Sequence, residues 1–66
     1  MTKFTKGMII NDILDRCPGS YAVLIKYFGP DYLLSSELKK ESIDANAEIY
    51  GVDANKIVKE INMLIH

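Results

Sequence analysis

Apolar residues recur at the spacing of an α-helix in four stretches of the chain, with polar residues between them. No stretch shows the period-two alternation that is typical of a half-buried strand. We therefore predict an all-α fold, a small irregular bundle of four main helices with a possible extra short turn. The predicted helices cover Ile9–Cys17, Ser20–Phe28, a segment between Ser42 and Gly51, and Ala54 to about Ile65.

Glycine and proline residues mark where these helices should end. Pro18 and Gly19 follow the first helix, and proline disfavours a helical conformation in the residue before it. Gly29 and Pro30 follow the second helix, where glycine can adopt a left-handed conformation and proline cannot continue the helix. Gly51 should end the third helix.

Three short polar side chains stand where helices should begin. Ser20, Ser42 and Asp53 precede apolar-periodic stretches, and their side-chain oxygens can accept a hydrogen bond from a free backbone amide. On the last helix, Lys56 and Glu60 are four residues apart, a spacing at which opposite charges attract each other. These positions predict three N-caps and one ion pair.

The segments outside the main helices are less regular. Residues 1–7 form a lead-in segment that we expect to be partly ordered through Phe4. Asp31 should cap a short turn over residues 32–34, and the polar residues 35–41 are predicted as a loop with possible helical turns. All 66 residues should form one small domain, because a chain of this length has room for a single core.

Composition and charge limit the classes of function. Lys and Arg total 8 and Asp and Glu total 9, for a net charge of −1. No excess of positive charge therefore points to nucleic acid or an anionic membrane as the partner. No apolar run is long enough to cross a membrane, and no signal peptide is recognisable. We expect a soluble cytoplasmic protein.

Residues that carry catalysis or metal binding are scarce. Cys17 is the only thiol, and its helical spacing with Ile10, Ile13 and Leu14 favours a buried apolar role over a reactive thiol. His66 is the only imidazole and is the last residue, where nothing fixes its orientation. No catalytic set or metal site can be assembled, so we expect neither enzyme activity nor a cofactor.

Several aromatic residues are candidates for the core or for an interface. Most should be buried, but Tyr32 is the best candidate for exposure, because it follows a helix stop and precedes two leucines in a predicted loop. Exposed apolar clusters of this kind often mark interaction sites. The candidate interaction surface is Tyr32, Leu33, Leu34 and Ser35. The aromatic candidates are Tyr21, Tyr27, Phe28, Tyr32 and Tyr50.

A series of short motifs covers most of the chain, from about Met8 to Asn62. The motifs are Ile10-Asn11-Asp12-Ile13-Leu14, Cys17-Pro18, Val23-Leu24, Tyr27-Phe28-Gly29, Glu41-Ser42-Ile43-Asp44, Tyr50-Gly51-Val52-Asp53 and Ile61-Asn62. In this series the chain resembles domain-of-unknown-function family 1858, the hybrid-cluster-protein-associated redox-disulfide domain. It is also similar to the N-terminal domain of ScdA-type iron–sulfur-cluster repair proteins. The resemblance implies a helical scaffold built around a redox site.

The chain departs from that family at the redox site itself. Members typically carry a CxxC pair three and six residues after the glycine of the second helix, and these positions here are Tyr32 and Ser35. A disulfide needs two sulfurs within reach of each other, so the resemblance implies a scaffold without its redox site. Members often have His where this chain has Tyr50. Ile9 replaces the Thr that would cap the first helix, a loss of about 1 kcal/mol.

Three functions are open at this point. The first is a non-catalytic protein-interaction module that binds a protein partner, or a second copy of itself, through residues 32–35. The second is a small-ligand binder with a pocket between the second helix and residues 30–41. The third is a residual thiol or redox role through Cys17. The interaction module ranks first, because catalytic residues are missing and apolar residues lie in a predicted loop.

Overall fold

The computed structural model describes residues 3–64, with the backbone alone at residues 33 and 34. Over this range the fold is all-α, as predicted, and contains no β-strand. Four helices of seven residues or more form the bundle, together with a 3₁₀ helix and a single-turn helix. In chain order the elements are α1 (Ile10–Arg16), α2 (Ser20–Phe28), the 3₁₀ helix (Pro30–Leu34), α3 (Ser36–Lys39), α4 (Ile43–Tyr50) and α5 (Ala54–Met63).

Side-chain caps begin α4 and α5 where the sequence predicts them. The Oγ of Ser42 accepts a hydrogen bond from the backbone N–H of Ala45 at 3.1 Å. The Oδ1 of Asp53 accepts one from the backbone N–H of Asn55 at 2.9 Å. Each cap satisfies an amide that has no partner inside its own helix, so both predictions are confirmed.

The prediction that Ser20 caps α2 is wrong. Gly19 already has helical backbone angles, φ −62° and ψ −17°, so Ser20 is the first residue of α2 and not the residue before it. Its buried hydroxyl donates to the carbonyl oxygen of Cys17 at 2.7 Å and closes the turn between α1 and α2. Asp31 is not a cap either, because the 3₁₀ helix begins one residue earlier, at Pro30.

Two glycines end helices with backbone angles that other residues rarely adopt. Gly51 has φ 69° and ψ 32°, the left-handed conformation, and its N–H bonds back into the last turn of α4. Gly29 has φ 90° and ψ 161°, which turns the chain sharply between α2 and Pro30. The turn at Gly29 brings the 3₁₀ helix back against α2.

The core is one cluster of apolar side chains drawn from all the long helices. The predicted buried face of α1 is confirmed, and Cys17 lies on it with 8% of its surface exposed. On α2 the side chains of Val23, Leu24 and Phe28 are buried, whereas Tyr21, one of the aromatic candidates for the core, is exposed. The largest fully enclosed side chains are Tyr32, Ile10, Ile13, Leu24, Ile43, Ile57 and Ile61.

The lead-in segment is held against α5. Phe4 is buried, which confirms the expectation that it orders this segment. The backbone N–H of Phe4 donates to Oδ1 of Asn62 at 2.8 Å, and Nδ2 of Asn62 donates to the carbonyl oxygen of Phe4 at 3.0 Å. Ile9 then forms an isolated bridge with Ser42, and the first amide of α1, that of Ile10, donates to the carbonyl of Glu41 at 3.0 Å. This backbone hydrogen bond takes the place of a side-chain cap, which α1 lacks.

Candidate interaction site

Three aromatic rings meet where α2, the 3₁₀ helix and α4 come together. The rings are those of Phe28, Tyr32 and Tyr50, and we call them the aromatic cluster. Phe28 lies with its ring centroid 4.8 Å from that of Tyr32 and 4.8 Å from that of Tyr50, in tilted arrangements. The centroids of Tyr32 and Tyr50 are 6.1 Å apart at an interplanar angle of 72°. These distances and tilts are those at which aromatic pairs attract each other.

The prediction that Tyr32 is exposed is wrong, because only 1% of its surface is accessible. The helix stop at Gly29 and Pro30 was correctly placed, but the chain does not leave the domain there. The 3₁₀ helix folds back onto α2 and places the Tyr32 ring against Phe28. Tyr32 is therefore a core residue.

The hydroxyl of Tyr32 is buried without a hydrogen-bond partner among the residues that the structure describes. Burial raises the pKa of this phenol, and the nearby Tyr50 raises it further. The hydroxyl therefore stays protonated at physiological pH. An unpartnered buried hydroxyl costs stability, so packing of the ring must outweigh that cost.

The other three residues of the predicted surface have separate outcomes. Ser35 is half-buried, and its Oγ accepts a hydrogen bond from the backbone N–H of Leu38 at 3.3 Å, so it caps α3. The side chains of Leu33 and Leu34 lie outside the part of the chain that the structure describes, so their exposure stays a prediction. The four residues thus do not act as one exposed surface, since Tyr32 is interior and Ser35 begins a helix.

An exposed apolar surface is present instead at the C-terminal end of α4. Ile49 has 65% of its surface accessible, and the adjacent Tyr50 has 37%. Tyr50 stacks on Phe28 with one part of its ring and faces solvent with another. The end of α4 therefore joins an exposed isoleucine to the rim of the aromatic cluster.

Sequence reasoning missed Ile49, although the helix position contains a signal. Ile43 and Ala47 are four residues apart and define the buried face of α4. Ile49 lies about 140° from the middle of that face at 100° per residue, so a large apolar side chain there has no core to enter. A large apolar residue off the buried face of a helix is a candidate contact residue.

A cleft lies where α5 meets the lead-in segment. Lys3, Lys59, Asn62 and Met63 line it, and its walls are mainly apolar. Its volume is about 570 Å³. It lies beside the lead-in segment, away from the region between α2 and residues 30–41 where the sequence analysis placed a ligand pocket.

A polar contact links α2 to α5 on the surface. The Nζ of Lys26 forms an ion pair with Oε1 of Glu60 at 2.9 Å, and the hydroxyl of Tyr27 donates to Oε2 of Glu60. The hydrogen bonds from Lys26 and Tyr27 lower the pKa of Glu60, and the bond to Glu60 raises the pKa values of both donors. The predicted pairing of Glu60 with Lys56 is therefore wrong, since Glu60 turns toward α2. We call these three residues the α2–α5 clasp.

The candidate chemical groups are placed as follows. Cys17 is buried in the core and is not part of a disulfide. His66 lies outside the described residues. Within residues 3–64, no three His, Cys, Asp or Glu side chains come together in a way that could hold a metal ion. What the described surface offers is therefore apolar and charged contact area.

No protein-family model matches the chain, and the comparisons with curated proteins and with solved structures give no match either. The resemblance to family 1858 therefore stays a prediction from the motifs. Over the described residues, none of the helices is long and apolar enough to span a bilayer.

Proposed function

We propose that this chain is a non-catalytic protein-interaction module whose docking surface is the C-terminal end of α4. The observation that carries the proposal is the exposure of two adjacent large apolar side chains, Ile49 and Tyr50, at 65% and 37%. Apolar side chains at the centre of an interface supply most of its binding energy, and Tyr is among the residues enriched there.

The partner is a protein, acting with this domain in the cytoplasm. A chain with a net charge of −1 has no electrostatic excess for attracting a nucleic acid. An exposed isoleucine next to a half-exposed tyrosine instead suits an apolar protein surface. Tyr50 is held by its contact with Phe28, so little side-chain entropy is lost when a partner covers it.

The absence of catalysis is supported by what the family's site positions do in this chain. If the resemblance holds, Tyr32 and Ser35 occupy the two thiol positions and Tyr50 the histidine position. Tyr32 packs in the core, Ser35 caps α3, and the Tyr50 ring lies 6.1 Å from that of Tyr32. All three positions are thus occupied by residues with packing or capping roles, and none of them offers a thiol for the family's redox chemistry.

The thiol alternative through Cys17 is disfavoured by burial. A reactive cysteine is normally accessible and placed next to a positive charge. Cys17 instead shares a buried helical face with Ile10 and Ile13 and is 8% exposed. Alkylation of the folded protein should be slow and should become fast in denaturant. Fast modification under native conditions would restore this alternative.

Site-specific photo-crosslinking in the cells that express the protein tests the proposal. A photoreactive phenylalanine analogue replaces Ile49, and a control carries it at Tyr21, a side chain on α2 that is 38% exposed. We expect a discrete protein adduct from position 49 and none from position 21. The Tyr50→Asp substitution should abolish the adduct, because it places a charge inside the apolar contact.

Two results would contradict the proposal. One is the lack of any adduct at position 49 in cells where the protein is folded and abundant. The other is an adduct of equal yield at positions 49 and 21, which indicates non-specific contact. Circular dichroism of each variant establishes that the helical fold is retained.

A further inference from the structure

We infer that the partner of the α4 surface is a second copy of this chain, arranged as a two-fold dimer. In this dimer Ile49 of each copy enters the cleft beside Lys59 of the other. The inference rests on the proposed function, because it names the occupant of the same surface. It is carried by the opposite charges beside two apolar surfaces, one at the end of α4 and the other at the cleft on α5.

One half of the match is an apolar projection beside an acidic stripe. Ile49 projects from α4 with most of its surface exposed. Asp44 and Glu48 are exposed on the same outward side of α4, one turn apart. Because Glu48 directly precedes Ile49, a partner that covers Ile49 also meets the negative charge of Glu48.

The other half is an apolar cleft beside a basic stripe. Lys3, Lys59 and Met63 all line the cleft. Lys56 is exposed one turn before Lys59 on the same outward side of α5. The cleft thus combines apolar walls with positive charges, the complement of what α4 presents.

The two halves lie on neighbouring helices, which makes a closed dimer possible. The segment 51–53 joins α4 to α5, and the two helices pack against each other. Lys59 lies five residues after the start of α5, which places it roughly 8 Å from that end of the helix along its axis. A two-fold axis between the halves then makes both contacts at once, and such self-complementary contacts are the commonest in oligomers.

The size of the molecule favours this doubled contact. The chain exposes 4192 Å² in total, and a standard interface takes about 800 Å² from each partner, close to a fifth of that surface. A single isoleucine in a single cleft covers much less. Two copies of the contact, with the acidic and basic stripes between them, bring the buried area closer to that of a stable complex.

Charge exchange tests the arrangement. Sedimentation equilibrium of the full chain should show a concentration-dependent dimer. Glu48→Lys and Lys59→Glu should each weaken it by at least about tenfold, since each places like charges opposite one another. An equimolar mixture of the two variants should associate as a heterodimer, because both of its contacts again join opposite charges. The chain that carries both substitutions should dimerise like the wild type.

A matched control separates this effect from a change in net charge. Asp15→Lys on α1 changes the net charge as Glu48→Lys does, at an exposed residue outside the proposed interface. Dimerisation of this variant should equal that of the wild type. Helical circular dichroism should be unchanged in all variants, because the substituted side chains are exposed.

The outcomes separate this inference from the proposed function. A chain that stays monomeric at every concentration, or a dimer that ignores both charge substitutions, overturns the second-copy inference. So does a mixture that fails to regain association. If position 49 still crosslinks to a different protein in these cases, the interaction module stands with another partner. A strict monomer without any crosslink at position 49 overturns both.

Discussion

The last turn of α2 makes two contacts of opposite character. Phe28 points into the aromatic cluster, where it packs against Tyr32 and Tyr50 at 4.8 Å. Lys26 and Tyr27 point to the surface and hold Glu60 of α5. Phe28 thus connects α2 to the aromatic cluster by apolar burial. Lys26 and Tyr27 connect it to α5 by an ion pair and a hydrogen bond.

The two contacts should differ widely in what they contribute to stability. The free energy gained by burying a large aromatic side chain is about 1.5–3 kcal/mol, and added salt does not screen it as it screens an ion pair. An exposed ion pair gains little, since water competes for both charges and the side chains lose freedom. The aromatic cluster should therefore hold the fold together, while the α2–α5 clasp should fix only the local orientation of the two helices.

The largest expected effect is that of Tyr32→Ala. The substitution removes the most deeply buried ring of the aromatic cluster and leaves a cavity, which should lower the free energy of unfolding by about 3–5 kcal/mol. Urea unfolding followed by circular dichroism measures the change. Tyr50→Ala is the matched control and should cost distinctly less, since 37% of that residue is already exposed. Equal losses for the two variants would show that burial does not set the strength of the cluster.

An intermediate effect is expected for Asn62→Ala. Asn62 makes a partly buried polar contact, with two hydrogen bonds to the backbone of Phe4 at 2.8 and 3.0 Å. Losing both should lower the free energy of unfolding by about 1–2 kcal/mol. The Phe4 amide should exchange with deuterium faster in the variant than in the wild type.

Asn55→Ala on the same helix is the control for this prediction, because the Asn55 side chain is exposed. It should leave both stability and exchange at Phe4 nearly unchanged. If Asn62→Ala also leaves the Phe4 amide protected, the lead-in segment is held by the Phe4 ring alone.

A smaller change in the opposite direction is expected for Tyr32→Phe. This substitution keeps the ring and deletes a hydroxyl that has no partner among the described residues. Removing an unsatisfied buried polar group should raise the free energy of unfolding by about 1 kcal/mol. Urea unfolding again provides the measurement. A loss of stability would reveal that the hydroxyl has a hydrogen-bond partner after all.

The elements of the fold could be predicted because local chemistry determines them. Ser42 and Asp53 offer oxygens to amides two or three residues ahead, and Gly51 can adopt the left-handed angles that end α4. Each of these interactions spans only a few residues. The neighbouring sequence therefore contains all that is needed to place them.

Two of the wrong predictions share a different cause, which is that a distant part of the chain decides the outcome. Tyr32 follows a correctly predicted stop, but its burial depends on Phe28 and on Tyr50, which lies 18 residues later. The Lys56 pairing had suitable local spacing, but Glu60 is engaged by Lys26 from another helix, 34 residues away. Periodicity locates the faces of a helix without saying which neighbour each face meets.

The candidate site illustrates the same limit. The sequence placed an interaction surface near the end of α2, and an exposed apolar surface lies close by, on α4. Tyr50 links the two, because it touches Phe28 and borders Ile49. The sequence could therefore predict an aromatic region here. It could not predict that Tyr50, and not Tyr32, is the exposed aromatic residue.

The smallest expected effect is that of Lys26→Met, and it tests whether the clasp acts by charge. The pKa of Glu60 is lowered in the folded protein, chiefly by its hydrogen bond from Lys26. The stability that the ionised Glu60 adds to the folded protein is therefore complete above the ordinary glutamate pKa. It disappears as the pH falls through the lowered pKa of Glu60. The gap in unfolding free energy between the wild type and Lys26→Met should close over that acidic range, and added salt should narrow it at neutral pH.

Lys56→Met is the matched control and should show no such pH-dependent gap, since Glu60 turns away from Lys56 toward α2. If Lys56→Met shows the larger gap, the clasp does not persist in solution, and the end of α2 is held by Phe28 alone.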